Sequence, residues 1–322
     1  MDINPTYYRS LTYHINSLGY RGPEFDPEKP DGTFRIIIYG GSQVFNGEMT
    51  EGEDWPRQIE KKIRAAGYAN VEVINAGIPG HASFDSVGRL FMEGHRFNPD
   101  IVVLCNIWND LKYFDSEQSL FRHFKPRQID DGRHVRYNYV NGLDRFMSEH
   151  SQLYVQLRDT LIFWWFDISK EGVRKKDKKS KLKEGYFSVE KMQLAQYQLN
   201  FATFVDIARN IGAEPVLIKQ PRLSDKSNGK EELDRINFSF IGARSAEILP
   251  NLFSQADQVI DSVGQNKKAL ILDPSTQMSG QIKYFLDHVH LSEEGTNEMA
   301  RILSEGLLSV IKKRVEEKSS EQ

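Results

Sequence analysis

The sequence has few of the features that cross-link a protein or direct it to a membrane. Its 322 residues include one cysteine, Cys105, which excludes an internal disulfide and a cysteine-based metal site. The N-terminus lacks the apolar run of about 7–15 residues found in secretory signals. No segment has the roughly 20 apolar residues of a membrane-spanning helix. For the sequence as given, we therefore expect a cytoplasmic protein.

A strong charge of one sign is also missing. The formal net charge is −3 and the isoelectric point is about 6.3. Proteins that bind nucleic acids usually present a basic surface, so we expect no nucleic-acid partner. Hydrophobic residues make up 39% of the chain, enough for a substantial buried core. The length suits one large α/β domain or two small ones, and we favour one.

Short apolar runs alternate with helical patterns along the chain. The run "FRIIIYG" at 34–40 is β-branched and ends in glycine, which is typical of a buried strand. The segment "DWPRQIEKKIRAAG" predicts a helix that Asp54 caps. Further strands are predicted from Val71, from about Asp100, at 213–220 and at 268–273, with a last helix from Ser292 to about Val315. This alternation predicts a parallel sheet with helices on both faces.

The middle of the chain breaks this alternation. We interpret about 112–187 as an insertion that forms a lid over the carboxyl ends of the strands, where ligands bind in such sheets. Within it, 161–183 combines "LIFWWF" with a lysine-rich stretch, a composition that would suit contact with an anionic membrane surface. A lid helix packed on the domain is the favoured alternative. The expected parts are an N-terminal extension packing on the core (1–33), the main domain with its insertion (34–316) and a frayed polar tail (317–322).

The first strand is followed by a serine in a tight turn. Gly40 and Gly41 allow a sharp bend and leave the hydroxyl of Ser42 uncrowded, which suits a nucleophile. A loop, a helix cap or a phosphate cradle would fit the same turn. The G-x-S-x-G elbow of α/β-hydrolases is excluded, because Val44 stands where its last glycine would be.

The next two strands also end in groups with a possible chemical role. Gly77 could direct its backbone N–H, and Asn109 its side-chain amide, at an oxyanion, and such donors stabilise the transition state of acyl transfer. A turn glycine and a helix cap are the ordinary alternatives. His81 is close enough in sequence to line the same pocket, and we expect Asp110 to support the loop that carries Asn109.

The stretch "FLDHVHLSEEG" near the C-terminus supplies a base. A serine hydroxyl needs an adjacent imidazole to accept its proton, and a carboxylate should orient that imidazole. A spacing of three residues lets Asp287 reach Nδ1 of His290 and leaves Nε2 for Ser42. His288 is expected to point elsewhere.

A metal site is the alternative use of this stretch. Asp287, His288 and His290 could act as ligands together with His81 or Asp110. We favour no metal, because a metal site would give no role to Ser42 or to the uncharged donors of Gly77 and Asn109.

Four blocks of the sequence together resemble a known family. "GGSQ", "NAGIPG", "NIWNDL" and "DHVHLSEEG" occur in the order and approximate spacing of the SGNH hydrolases, the GDSL esterase/lipase superfamily. The segment "NSLGYRG" at 16–22 resembles one that precedes the first block in bacterial members. The resemblance implies a flavodoxin-like three-layer α/β/α sandwich with a central, mainly parallel five-stranded sheet. It implies no cofactor. The implied site residues are Ser42 as nucleophile, His290 as base, Asp287 as its partner, and Ser42, Gly77 and Asn109 as oxyanion donors.

Two positions depart from the family pattern. Gly41 replaces the aspartate of the "GDS" form, a change that leaves the resemblance intact. Asn106 replaces the usual glycine of the third block, and we expect its side chain to narrow or polarise the pocket.

The resemblance predicts a serine-dependent acyl-ester hydrolase. Its expected substrate is a short acyl ester of a carbohydrate or a related small molecule, cleaved through an acyl-enzyme on Ser42. An O-acyltransferase that uses the same acyl-enzyme is one alternative. A catalytically silent carbohydrate- or lipid-binding module is the other.

Overall fold

The computed structural model describes most of the chain outside its middle. The described residues are 12–113, 143, 146–147, 150–151, 153–154, 157, 194–236 and 247–320. The predicted lid lies largely outside them, as do the 161–183 stretch and residues 1–11. By its internal contacts the chain divides into one unit of Met1–Ser116 with Met192–Gln322, and a second of Glu117–Lys191.

The first unit is built on a five-stranded parallel sheet in the order β2-β1-β3-β4-β5. Every residue of β1 and of β3 is buried, because helices cover both faces of the sheet. The strands are β1 (Phe34–Gly40), β2 (Val71–Gly77), β3 (Ile101–Cys105), β4 (Glu214–Ile218) and β5 (Leu270–Leu272). The predicted five-stranded α/β fold is therefore confirmed.

Helices form a layer on each side of this sheet. The connection from β1 to β2 crosses the sheet in one direction, and every later connection between strands crosses it in the other. Because such crossovers are right-handed, α2 lies on one face of the sheet and α3, α4 and α6 lie on the other. The C-terminal α8 packs on α2. The helices are α1 (Ser42–Phe45), α2 (Trp55–Ala65), α3 (Ser83–Phe97), α4 (Leu194–Asn210), α5 (Lys230–Arg235), α6 (Leu249–Lys267), α7 (Ser275–Met278) and α8 (Glu293–Ser320), with short 3-10 turns at Asp110–Tyr113 and Ile282–Tyr284.

The reversal of direction at β1 creates a crevice at the carboxyl end of the sheet. In sheets of this topology, ligands bind where neighbouring connections leave in opposite directions. Gly40, the last residue of β1, pairs with Gly77 on one side and Cys105 on the other. Ser42 follows two residues later and therefore lies at this crevice.

Two details of the helices differ from prediction. Asp54 precedes α2 but makes no side-chain cap bond. Its carboxylate accepts a hydrogen bond from Asn75 Nδ2 at 3.1 Å and lies 3.8 Å from Nε of Arg21, because a buried guanidinium needs a counter-charge. The last helix runs to Ser320, beyond its predicted end at about Val315.

The second unit is described at a few positions between 143 and 157, nearly all of them helical. The Tyr154 N–H donates to Ser151 Oγ at 3.2 Å, so Ser151 caps a helical turn. Within the described part of the chain, none of the helices combines the length and apolar character needed to cross a membrane.

A pair of glycine substitutions tests the packing at the crevice. A Cβ on Gly77 would lie 2.2 Å from the backbone N of Phe45, so Gly77→Ala must push α1 away from β2. We expect a loss of about 1–3 kcal/mol in the free energy of unfolding. The exposed Gly88 in α3 has no atom within 4 Å of such a Cβ, and Gly88→Ala should gain about 0.5–1 kcal/mol. Urea denaturation measures both, and equal stabilities for the two variants would contradict this account.

Candidate active site

The close approach of α1 to the sheet positions Ser42. Gly41 holds the N-cap place, and Ser42 is the first residue of the helix. A Cβ on Gly40 would lie 2.4 Å from the carbonyl oxygen of Cys105, and one on Gly41 would lie 2.8 Å from Asn109 Nδ2. Gly40 must therefore lack a side chain, because backbone blocks the position, whereas a side chain at Gly41 would displace the Asn109 amide.

A tight turn carries the histidine to Ser42. The Leu286 N–H donates to the carbonyl of His290 at 2.8 Å, which closes the turn. Within it, Asp287 Oδ1 accepts the N–H groups of Val289 and His290, each at 2.8 Å. Asp287 Oδ2 lies 2.7 Å from His290 Nδ1, and His290 Nε2 lies 2.8 Å from Ser42 Oγ. The structure thus brings Ser42, His290 and Asp287 into one hydrogen-bonded chain.

The electrostatics of this chain favour a charged carboxylate beside a basic imidazole. Burial acts to raise the pKa of Asp287, but hydrogen bonds and the nearby imidazoles outweigh it and hold that pKa at about 2. Burial acts to lower the pKa of His290. The hydrogen bond with Asp287 and the charges of Glu48 and Asp287 outweigh this, so the pKa is raised above its usual value.

Gln43 joins the serine helix to the histidine turn. Its Nε2 donates to the carbonyl of Val289 at 2.7 Å and to that of Pro221 at 2.9 Å, and the residue is only 1% exposed. The residue after Ser42 is thereby bonded to the residue before His290. Sequence reasoning missed Gln43, because nothing local in the chain predicts contacts to residues 178 and 246 positions away.

His288 points away from Ser42, as expected. Its ring stacks on Trp108 with centroids 4.3 Å apart, and Trp108 in turn stacks on Phe253 at 5.6 Å. Burial lowers the pKa of His288. The two histidines of "DHVH" therefore have different environments, one apolar and stacked, the other facing the serine.

Asn109 lies beside the serine turn, where the sequence placed it. Its Nδ2 donates to the carbonyl of His81 at 3.0 Å and faces Gly41. A side-chain amide has two N–H groups, so this bond occupies one of them. His81 itself is half-buried, and burial lowers the pKa of its imidazole.

The geometry does not support Gly77 as an oxyanion donor. Its N–H already donates to Asn75 Oδ1 at 3.0 Å, and the residue is buried under α1. A glycine is needed here for a different reason, because a side chain would meet the backbone of Val44 and Phe45.

Asn106 was expected to line the pocket, and it does not. It is 2% exposed, accepts a hydrogen bond from Ser86 Oγ at 2.7 Å and donates to the His81 carbonyl at 3.0 Å. Its amide is turned inward because these buried partners need it. Asn106 and Asn109 thus hold the same carbonyl from one loop.

Asp110 anchors this loop to the start of α3. Its carboxylate accepts the Ser83 N–H at 3.0 Å and the Ser83 hydroxyl at 2.6 Å, so it satisfies a free N–H at the helix N-terminus. Asn200 of α4 donates to the same hydroxyl at 2.8 Å. Burial raises the pKa of Asp110 to about 7 although the bonds from Ser83 oppose it.

Two further residues at the crevice were not predicted. Arg21 donates to the carbonyls of Phe45 and Asn46 at the end of α1, and to those of Met49 and Thr50 in the loop that follows. Glu48, in that loop, places Oε1 3.9 Å from His290 Nε2. Burial is the main cause that raises the pKa of Glu48. Among the described residues, no group of three or more His, Cys, Asp or Glu side chains is arranged to hold a metal ion.

Known structures share this architecture, although no family model and no curated protein sequence matches the chain. The lipase/acylhydrolase from Enterococcus faecalis is 15% identical with a TM-score of 0.50, and the match covers 86% of this chain and 96% of that one. A GDSL-like lipase from Bacteroides thetaiotaomicron is 11% identical with a TM-score of 0.48, over 88% and 92% of the two chains. The chain has the SGNH hydrolase fold. At these identities the likeness shows the fold alone.

The Gln43 bridge in this SGNH fold can be tested by stability. Gln43→Leu keeps the side-chain volume but leaves the carbonyls of Pro221 and Val289 without this donor, so we expect a loss of about 1–3 kcal/mol in the free energy of unfolding. Gln58→Leu is the control, because its amide donates to Glu53 at an exposed position and should change stability by less than about 0.5 kcal/mol. Chemical denaturation measures both, and wild-type stability of Gln43→Leu would refute the bridge.

Proposed function

We propose that this protein is a serine-dependent acyl-ester hydrolase. Ser42 Oγ attacks the ester carbonyl carbon while His290 Nε2 accepts the hydroxyl proton. The bond to the leaving alkoxide then breaks, and Nε2–H returns the proton to that oxygen. Water, deprotonated by the same imidazole, attacks the acyl-enzyme and releases the acid and free Ser42.

One observation carries the proposal. Asp287, His290 and Ser42 form a continuous hydrogen-bonded chain with contacts of 2.7 and 2.8 Å, in the order that a general-base mechanism needs. Asp287 fixes the tautomer in which Nδ1 is protonated, so Nε2 is free to accept the proton from Ser42. The low pKa of Asp287 supports this role, because its carboxylate stays charged while the imidazole becomes protonated.

The developing oxyanion requires donors close to Ser42. Because Ser42 begins α1, its backbone N–H lies among the free N–H groups of a helix N-terminus. The second N–H of Asn109 Nδ2, next to Gly41, is the other proposed donor. With Gly77 engaged by Asn75, the proposed oxyanion hole rests on Ser42 and Asn109.

The substrate class follows from the groups around the serine. Glu48 and Asn109 are polar, and they approach Ser42 and His290 from different loops. Such surroundings suit a small acyl group on a hydroxyl-rich alcohol better than a long acyl chain. We infer a short acyl ester of a carbohydrate or a related small alcohol.

Covalent labelling tests the nucleophile directly. A fluorophosphonate should add one adduct to the wild-type protein, because the imidazole activates Ser42, and intact-protein mass spectrometry detects the added mass. Ser42→Ala should give no adduct, and His290→Ala should label at least about 100-fold more slowly. Ser224→Ala, which alters a serine outside the chain of hydrogen bonds, is the control and should label like wild type. An adduct that persists in Ser42→Ala would refute the mechanism.

The pH dependence of hydrolysis tests the roles of His290 and Asp287. The imidazole must be neutral to act as base, so activity should rise with pH through a pKa above the usual histidine value. Asp287→Asn removes the main interaction that raises this pKa, so the rise should move to lower pH while kcat falls by about 10⁴-fold. Initial rates with a p-nitrophenyl ester measure both effects. If activity rose at the same pH in Asp287→Asn as in wild type, the assigned roles of His290 and Asp287 would be contradicted.

A further inference from the structure

Glu48 is a charged group at the crevice that the proposed mechanism does not use. Its Oε1 lies 3.9 Å from His290 Nε2, the same nitrogen that faces Ser42. Asp287 occupies the opposite nitrogen, so the two carboxylates lie on opposite sides of one ring. A carboxylate on the Nε2 side faces the space where substrate must bind.

The loop that carries Glu48 is held in place. Asn46 ends α1 with φ of 53°, a left-handed conformation that stops the helix two residues before Glu48. The Arg21 guanidinium then bonds carbonyls on both sides of Glu48, those of Asn46 and Met49. The position of Glu48 is therefore fixed before substrate binds, as a recognition group requires.

The Glu48 carboxylate is partly desolvated, and its Oε1 is the oxygen that lies near His290 Nε2. The side chain is 29% exposed, yet Oε2 is buried without a hydrogen-bond partner among the described residues. The charged groups that act on it are His290, Asp287 and Arg21, and burial opposes its ionisation most strongly. A partly desolvated carboxylate binds a hydrogen-bond donor more strongly than one in water.

The mechanism identifies what reaches this carboxylate. The leaving oxygen takes its proton from Nε2, so it must lie within hydrogen-bond distance of that nitrogen. Because Glu48 approaches the same nitrogen, it lies beside the alcohol part of the ester. A hydroxyl on the carbon adjacent to the one that bears the ester oxygen would be in reach of Oε1.

We propose that Glu48 forms the alcohol-side subsite and selects esters whose alcohol carries a hydroxyl on the carbon adjacent to the ester-bearing carbon. This inference rests on the proposed function and makes its substrate class specific. Glu48 accepts the hydrogen bond of that hydroxyl and thereby holds the leaving oxygen at Nε2. Alcohols that lack the donor leave the carboxylate unpaired, and anionic alcohols are repelled.

Two esters that differ in one group test the proposal. 2-Hydroxyethyl acetate and propyl acetate share the acetyl group, and a hydroxyl in the first replaces a methyl in the second. The wild-type protein should show a kcat/KM about 10- to 100-fold higher for the hydroxyl ester, the preference expected when a substrate hydroxyl bonds a charged group. Acetate release measures both reactions.

Variants at position 48 assign this preference to the carboxylate. Glu48→Met cannot accept the bond, so kcat/KM should become about equal for the two esters. The ratio of the two values is the readout, because the lost charge acts on the pKa of His290 in the same way for both esters. Glu48→Gln keeps a neutral acceptor and should retain an intermediate preference. Glu53→Gln, which removes an exposed charge from the same stretch, is the control and should keep the full preference.

The outcomes separate the two proposals. If kcat/KM fell equally for both esters in Glu48→Met, the preference would be unchanged and the proposed subsite would be overturned. The absence of a preference in the wild-type protein would also overturn it, and neither result would contradict the serine mechanism. If Ser42→Ala hydrolysed propyl acetate at the wild-type rate, the proposed function itself would be overturned. Loss of the preference in Glu48→Met alone, with Ser42→Ala inactive, supports both.

Discussion

The contact of α1 with bare backbone at the ends of β1 and β2 is the constraint on which the site depends. Gly40, Gly41 and Gly77 present no side chains, and added Cβ atoms would lie 2.2–2.8 Å from neighbouring atoms. This absence lets a four-residue helix rest directly on the sheet. A helix held even slightly further out would move Ser42 away from His290, whose own position is set by a separate turn.

Hydrogen bonds from side chains to distant backbone hold the remaining parts of the crevice. Arg21 bonds the carbonyls after α1, Gln43 bonds the histidine turn, and Asp110 bonds the start of α3. Each of these side chains is buried, so a polar group left without its hydrogen-bond partner would carry the full cost of desolvation. The polar interior around the sheet end therefore fixes the relative positions of loops that share no secondary structure.

The histidine lies between two carboxylates with different environments. Asp287 is held by the backbone of its own turn and has a pKa of about 2, whereas burial raises the pKa of Glu48. In the proposed mechanism the first carboxylate orients the imidazole and the second faces the alcohol of the substrate. Both charges raise the pKa of His290, which strengthens it as a base and sets the lower limit of its working pH range.

The sequence by itself determined the fold class and the positions of the strands. The apolar runs at 34–40 and from Val71 form strands with those starts, because a strand buried on both faces must be apolar along its length. It also located the Asp287 and His290 pair, whose contact is local and depends on a spacing of three residues. The tertiary structure alone decided what Asp54, Gly77 and Asn106 do, because each is constrained by a distant part of the chain. Asp54 lies beside Arg21, Gly77 lies under the backbone of α1, and Asn106 accepts a hydrogen bond from Ser86. The tertiary structure likewise decided the position of Glu48, since a distance to His290 across the folded chain has no periodic or local signature in the sequence.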